Sequence, residues 1–331
     1  MSNGLSIHTV ARCSIGMLIV PLLLCAQEQK PCWLRDGASP APATAYLLCE
    51  QGGLWTTADA GATWASLSTG STERHRAFAW LDTIRGIAVG NGGMILATGD
   101  GGKTWQPRVS GVKENLMDVT SVGESVWISG YQGVVLHSAD GGKSWTRQPT
   151  QTSMTLEGIF FLDQDHGWSV GWSGTILRTV NGGQTWTTIK TTAQWSLTAI
   201  CFADVNNGWV AGFSGQLLRS KDGGVTWTAL KSPVSSSLTS IAFDHAGRGW
   251  ITYDDGLLVS QDKGDTWTPV SVGGRHFLGK LLPVGQALWA IGQSVIFEQS
   301  GNGMEWKQNP NLVTDRTVST AAAVAGKTTG K

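Results

Sequence analysis

Five aspartates and one asparagine recur in one setting along this 331-residue chain, and that setting decides what their chemistry can be. The motif runs Thr57-Ala-Asp59-Ala-Gly61-Ala-Thr63-Trp64, then around Asp100 and Trp105, and around Asp140 and Trp145. It continues around Asn181 and Trp186, Asp222 and Trp227, and Asp262 and Trp267. Two carboxyl groups flanking a glycosidic bond could hydrolyse it. A lone Asp followed by Gly and a hydroxyl residue does something else: it accepts hydrogen bonds from the N–H groups of its own turn. Glycine supplies the positive φ of such a turn, and the Trp buries a large ring beside it. The motif therefore reads as structural.

The spacing points to the elements that carry it. A seventh copy, Gln299 to Trp306, has decayed, with Gly301 in place of the Asp and Glu305 in place of the Thr. The gaps between the seven Trp are 41, 40, 41, 41, 40 and 39 residues. Short alternating strands fill each unit, as in Leu197–Phe202, Gly208–Gly212, 216–220 and 226–230. A 40-residue period with four strands is a propeller blade. The expectation is an all-β, seven-bladed β-propeller of four-stranded antiparallel blades. The 44 Gly and 17 Trp suit a turn-rich β protein with a recurring aromatic.

Blade one lacks an obvious inner strand, because residues 35–40, Arg-Asp-Gly-Ala-Ser-Pro, read as a loop. Residues 317–324 have the small, β-tolerant character of an inner strand and sit at the right distance from Trp306. They are expected to close the ring in blade one and remove its open edge. The domain reading is a signal peptide over 1–26, an N-terminal segment over 27–42, the propeller over 43–324 and a disordered tail over 325–331. The signal rests on Arg12 and the apolar run from Ser14 to Ala26, too short to span a membrane. Cys25 would suit a lipoprotein signal, but Leu24 stands where such signals want a small residue. Export would place the protein in a periplasmic or extracellular, oxidising compartment, where Cys32 and Cys49 could bridge. Cys201, in an apolar strand, is a core residue rather than a reactive thiol. The cysteines have no paired His spacing, so no metal is expected, and no cofactor.

The Gly-Trp-x-x-Gly strand at Gly167–Gly171 and Gly208–Gly212, each leading into Asp-Gly-Gly-x-Thr-Trp or its Asn variant, resembles the photosystem II stability/assembly factor-like family of Asp-box propellers. The resemblance covers about residues 43 to 324. It implies a lumenal or periplasmic chaperone-like role in assembling membrane complexes. The partner expected is a protein, with peripheral membrane association and a monomeric chain as further expectations. It also adds support to a basic patch, since arginine-rich patches occur in that family.

That patch is read from the loops entering the inner strands of blades seven, one and two. They hold Arg275 and His276, then Arg316, then Arg74, His75 and Arg76. In a closed ring these blades are neighbours, so the groups form a candidate partner-binding surface. The net charge of zero argues against nucleic acid. A glycoside hydrolase is the alternative, since Asp boxes occur in sialidases. However, only Tyr46, Tyr131 and Tyr253 could be a Tyr nucleophile, and each lies in or beside a repeat element. Asp163, Asp165, Glu114 and Glu157 follow no pairing pattern. A carbohydrate-binding propeller using Trp172 and Trp195 is the third reading.

Overall fold

The structure, a computed structural model, describes residues 32–300 and 303–312. Its strands form seven four-stranded antiparallel sheets, each made of four strands consecutive in sequence. The only helical pieces among the described residues are four single 3-10 turns, at Asn91–Gly93, Tyr131–Gly133, Trp172–Gly174 and Phe213–Gly215. No helix among the described residues is long and apolar enough to cross a membrane.

Blade one corrects the expected closure. It consists of β1 (Leu34–Ala41), β2 (Thr44–Cys49), β3 (Gly53–Thr57) and β4 (Ala65–Ser68), in that order. The stretch expected to be a loop is thus the inner strand, and the propeller begins at Leu34 rather than at residue 43. The physical reason lies in crowding at the axis. A Cβ on Gly37 would come within 2.4 Å of Ile291 Cδ1, so a larger residue there would push Ile291 of blade seven aside. Pro40 falls in a register irregularity between Ala38 and Ala41, on a strand whose far edge pairs with no other strand among the described residues. Residues 317–324 lie outside the described residues, as do 1–26 with Cys25, and 325–331.

The ring closes between blades seven and one by side-chain packing. Leu34, Ala45, Leu47 and Cys49 form one buried cluster with Trp289, Ile291, Ile296 and Leu312. Asn309 Nδ2 donates to Gly61 O at 3.0 Å, and Leu34 N donates to Gln293 O at 2.8 Å. Cys32 and Cys49 are bridged, with Cα atoms 5.3 Å apart, which ties the chain entering β1 to the end of β2.

Neighbouring blades are fastened by the repeat itself. The second-strand residues Trp127, Trp168 and Trp209 are almost fully buried. Each indole N–H donates to a glycine carbonyl in the next blade's Asp box: Gly182, Gly223 and Gly264, at 2.9, 3.1 and 2.9 Å. Tyr46 in blade one does the same to Gly101 O. Trp250 in blade six faces the decayed seventh box, and its N–H turns instead to Asp244 Oδ2 at 3.0 Å.

A candidate binding site at the channel mouth

The Asp boxes satisfy themselves. In the first, Asp59 Oδ1 accepts from Thr63 N and the Thr57 hydroxyl, and Oδ2 accepts from the Thr63 hydroxyl. The Thr57 hydroxyl in turn accepts from Gly61 N. The same pattern holds around Asp100, Asp140, Asp222 and Asp262. Asn181 keeps it by accepting Thr185 N at Oδ1 and donating Nδ2 to the Thr185 hydroxyl. The Thr63 and Thr104 side chains, with their backbone N–H groups, hold Asp59 and Asp100 down at about 2. Such carboxylates stay ionised and hold no proton to give. The box Trp pack between blades: Trp227, of blade five, meets Phe202 edge-on in one cluster with Trp168 of blade four.

The opposite end of the blades is built differently. Every inner strand carries one extra residue near its start, a β-bulge between the first and third positions. A bulge re-aims side chains, and here it turns two consecutive residues per blade into the central channel. The channel holds a cavity of about 570 Å³ lined by both sets, giving an outer and an inner ring.

The charged members of the inner ring are Asp36, Asp118 and Lys280, from blades one, three and seven. Asp36 accepts from Gly37 N and, across the blade boundary, from Phe78 N at 3.0 Å, and it pairs with Lys280 Nζ at 2.8 Å. Asp118 accepts from Val119 N and from Ile159 N of blade four, both at 2.9 Å. Burial raises Asp118 to about 6, against the pull of Lys280. Burial also opposes the charge on Lys280, but Asp36 and Asp118 outweigh it and hold its pKa above the ordinary value. A carboxyl of raised pKa in a cavity suggests an acid catalyst. Yet Ser240 at the same ring position in blade six accepts Leu281 N of blade seven at 3.1 Å. A hydroxyl does the same stitching, so this ring position attaches one blade to the next. Asp163 is engaged by His166, and Glu114 faces Arg147 at 3.8 Å. Among the described residues, no group of three or more His, Cys, Asp or Glu could hold a metal. Cys201 also lines the cavity, and burial pushes its thiol up to about 12.

The outer ring is asymmetric. Arg35 and Arg76 project from blades one and two, and Glu157 from blade four. Arg35 is exposed and has no hydrogen-bond or ion-pair partner among the described residues. Arg76 donates Nε to Asn91 Oδ1 at 3.0 Å. Arg74, beside them, is ion-paired with Glu50. Burial lowers the Arg76 pKa, and the charges of Arg74 and Arg35 lower it further. Three guanidiniums thus lie together, Arg35 and Arg76 on the cavity lining and Arg74 beside it, with Glu50 paired to Arg74 and the Glu157 charge acting on Arg76.

Aromatic rings stand on the other side of the mouth. Tyr131, Trp172 and Phe213 open the 3-10 turns that follow the second strands of blades three, four and five. Tyr131 and Trp172 are 6.0 Å apart between ring centroids, and the Trp172 N–H donates to Glu157 Oε1 at 2.7 Å. Trp33 and Phe277, both well exposed, line the cavity from the starts of blades one and seven.

The expected basic patch survives only in part. Arg74 and Arg76 come together, joined by Arg35 of the inner strand of blade one. His75 must be withdrawn as a partner-binding residue. Its side chain is fully buried, between the Thr69 hydroxyl at 3.0 Å and Glu73 O at 2.7 Å. It occupies the first inner-strand position, where the other six blades have Leu, and comparison of the repeats carried that signal. Arg275 is exposed 4.0 Å from Asp255, and His276 packs on Phe297; neither lines the cavity. Arg316 lies outside the described residues. Trp195 is exposed but stands apart from the cavity lining.

A family model described as photosynthesis system II assembly factor YCF48 matches residues 62–155, 148–231 and 186–308. No curated protein matches the chain. Among solved structures, the chain is similar to YCF48 bound to a D1 peptide, with 22% identity, a TM-score of 0.62, and 74% of this chain and 83% of that one covered. It is similar to YCF48 from Cyanidioschyzon merolae at 21% identity and a TM-score of 0.62, covering 76% and 89%. An ancestral GH74 enzyme shares the propeller at 13% identity and a TM-score of 0.65, with 84% of this chain and 46% of that one covered.

Proposed function

The chain belongs to the photosynthesis system II assembly factor YCF48 family, and from that premise we propose that it is an exported, non-catalytic scaffold that holds a segment of a membrane-complex protein at its channel mouth. The observation that carries this reading is that Arg35 and Arg76 line the cavity with Arg74 beside them, while Glu50 is ion-paired with Arg74. Guanidiniums crowded in this way favour an incoming anion, and their planar forks suit carboxylates. The D1 peptide bound by a similar propeller supports a protein ligand. No catalytic role is assigned, because each carboxylate of the inner ring is committed to neighbouring N–H groups or to Lys280. The apolar run ending at Ala26 supports export, and N-terminal sequencing of the mature protein checks it.

The test is recovery of membrane proteins from a solubilised membrane fraction at low and high salt. Replacing Arg35 and Arg76 together by Ala should abolish the recovery seen at low salt, and salt alone should weaken it. If the double variant recovers the same proteins as the parent, the mouth is not the docking site.

A further inference from the structure

We infer that the arc of Tyr131, Trp172 and Phe213 is the second half of this docking site and takes an apolar or aromatic side chain of an acidic peptide segment whose carboxylates sit on Arg35 and Arg76. The inference rests on the protein-binding reading above and names the chemistry of the segment.

Three observations point there. The first is display. The three rings hold the same place in consecutive blades, each on a turn whose geometry is imposed. The backbone N–H groups of Tyr131, Trp172 and Phe213 donate to Asn115 O, Thr155 O and Ser196 O at the entry to their inner strands, each at 2.9 Å. The residue before Trp172 is Gly171, where a Cβ would lie 1.9 Å from Thr155 O. Turns pinned this tightly hold the Cα positions of the three rings in a fixed arc.

The second is orientation. The Trp172 indole is anchored by its N–H to Glu157, a member of the outer ring, so its ring is fixed while its surface stays 44% exposed. Phe213 is 45% exposed and lines the cavity. Fixed, exposed aromatics at the edge of a concave site are the usual anchors of a protein interface.

The third is charge. Arg35, Arg74 and Arg76 lie on blades one and two and the three rings of the arc on blades three to five, while Trp33 and Phe277 line the cavity from blades one and seven. An extended segment crossing the mouth meets both, with a carboxylate at one end and an apolar side chain farther along. Glu157 stands beside the rings and would repel a second acidic group there, which orients the segment.

The experiment uses fluorescein-labelled octapeptides in which an Asp-Asp pair and a Phe are separated by zero to four residues, with Ser-for-Phe and Asn-for-Asp versions as controls. Affinity is read by anisotropy against the full chain. One or more spacings should bind at least about tenfold more tightly than their Ser versions. Trp172→Ala should erase that advantage, and Trp172→Phe should keep it to within about threefold. Both variants should melt like the parent. Ser versions that bind as well as Phe versions, or a Trp172→Ala protein that keeps the advantage, would overturn the arc as a subsite. If Arg35→Ala/Arg76→Ala binds all peptides normally, the arginine reading falls as well. If vesicles containing phosphatidylglycerol bind in a Trp172-dependent way and no peptide does, the arc serves a membrane surface and the inference is wrong.

Discussion

The two ends of each blade use polar groups in opposite ways. At one end, every Asp-box oxygen has a donor within its own turn, and glycine carbonyls of three boxes accept the indole N–H of the blade before. At the other, Arg35 has no hydrogen-bond or ion-pair partner among the described residues, Arg76 is crowded by two like charges, and Trp172 and Phe213 face solvent. Exposed apolar side chains on the Asp-box side, such as Ile84, Val180, Val205 and Val225, are aliphatic. Single exposed aliphatics are normal on any surface. Regularity of sequence thus marks the end that holds the fold, and departure from the repeat marks the end that is free to bind.

Changes to the groups that hold the fold, at either end of the blades, should cost stability. The largest loss is expected for Asp36→Ala, which orphans Phe78 N and leaves Lys280 without its closest counter-charge, at a cost of about 3 kcal/mol in chemical denaturation. An unchanged midpoint would mean that the inner ring is not an attachment device. Opening the Cys32–Cys49 bridge by replacing both residues with Ser frees a loop of 17 residues and should cost about 3 kcal/mol or somewhat less. Reduced and oxidised protein melting together would contradict this. Asp222→Ala removes the acceptor for Thr226 N and should cost about 1–2 kcal/mol, the lower end if water replaces the lost bonds.

The pH dependence follows from the same contrast. Asp59 and Asp100 have folded-state pKa values of about 2, below the ordinary 3.8. Their stabilisation is complete above about pH 4 and is lost as pH falls toward 2. Asp118 has the opposite sign. Its pKa is raised to about 6, so its penalty is absent below about pH 4 and grows as pH rises through 6. Melting followed from pH 2 to 7 should rise steeply at first. The parent should then level off or dip between pH 4 and 6, by a smaller amount in Asp118→Ser, where no carboxylate is left to charge.

Much of this was legible in the sequence. The Trp spacing carried the blade number, and the Gly and hydroxyl positions carried the box geometry. The inner strand of blade one was not legible, because Gly37 and Pro40 look like loop residues unless the crowded axis is known. His75 shows the same limit in reverse: it read as a surface base beside two arginines, yet its register places it with six leucines. The bulge that turns Arg35 and Arg76 into the channel follows from strand pairing, and no local motif announces it.

The most direct test crosses the two ends in one experiment. Binding of an Asp-Asp–containing octapeptide and thermal melting would be measured together for Asp222→Ala and for Arg35→Ala/Arg76→Ala. Asp222→Ala should melt earlier and bind the peptide as the parent does below its transition. The arginine variant should melt within about 0.5 kcal/mol of the parent, as surface changes usually do, and lose the salt-sensitive binding. If Asp222→Ala loses binding while still folded, or the arginine variant keeps it, the division of labour between the two ends is wrong.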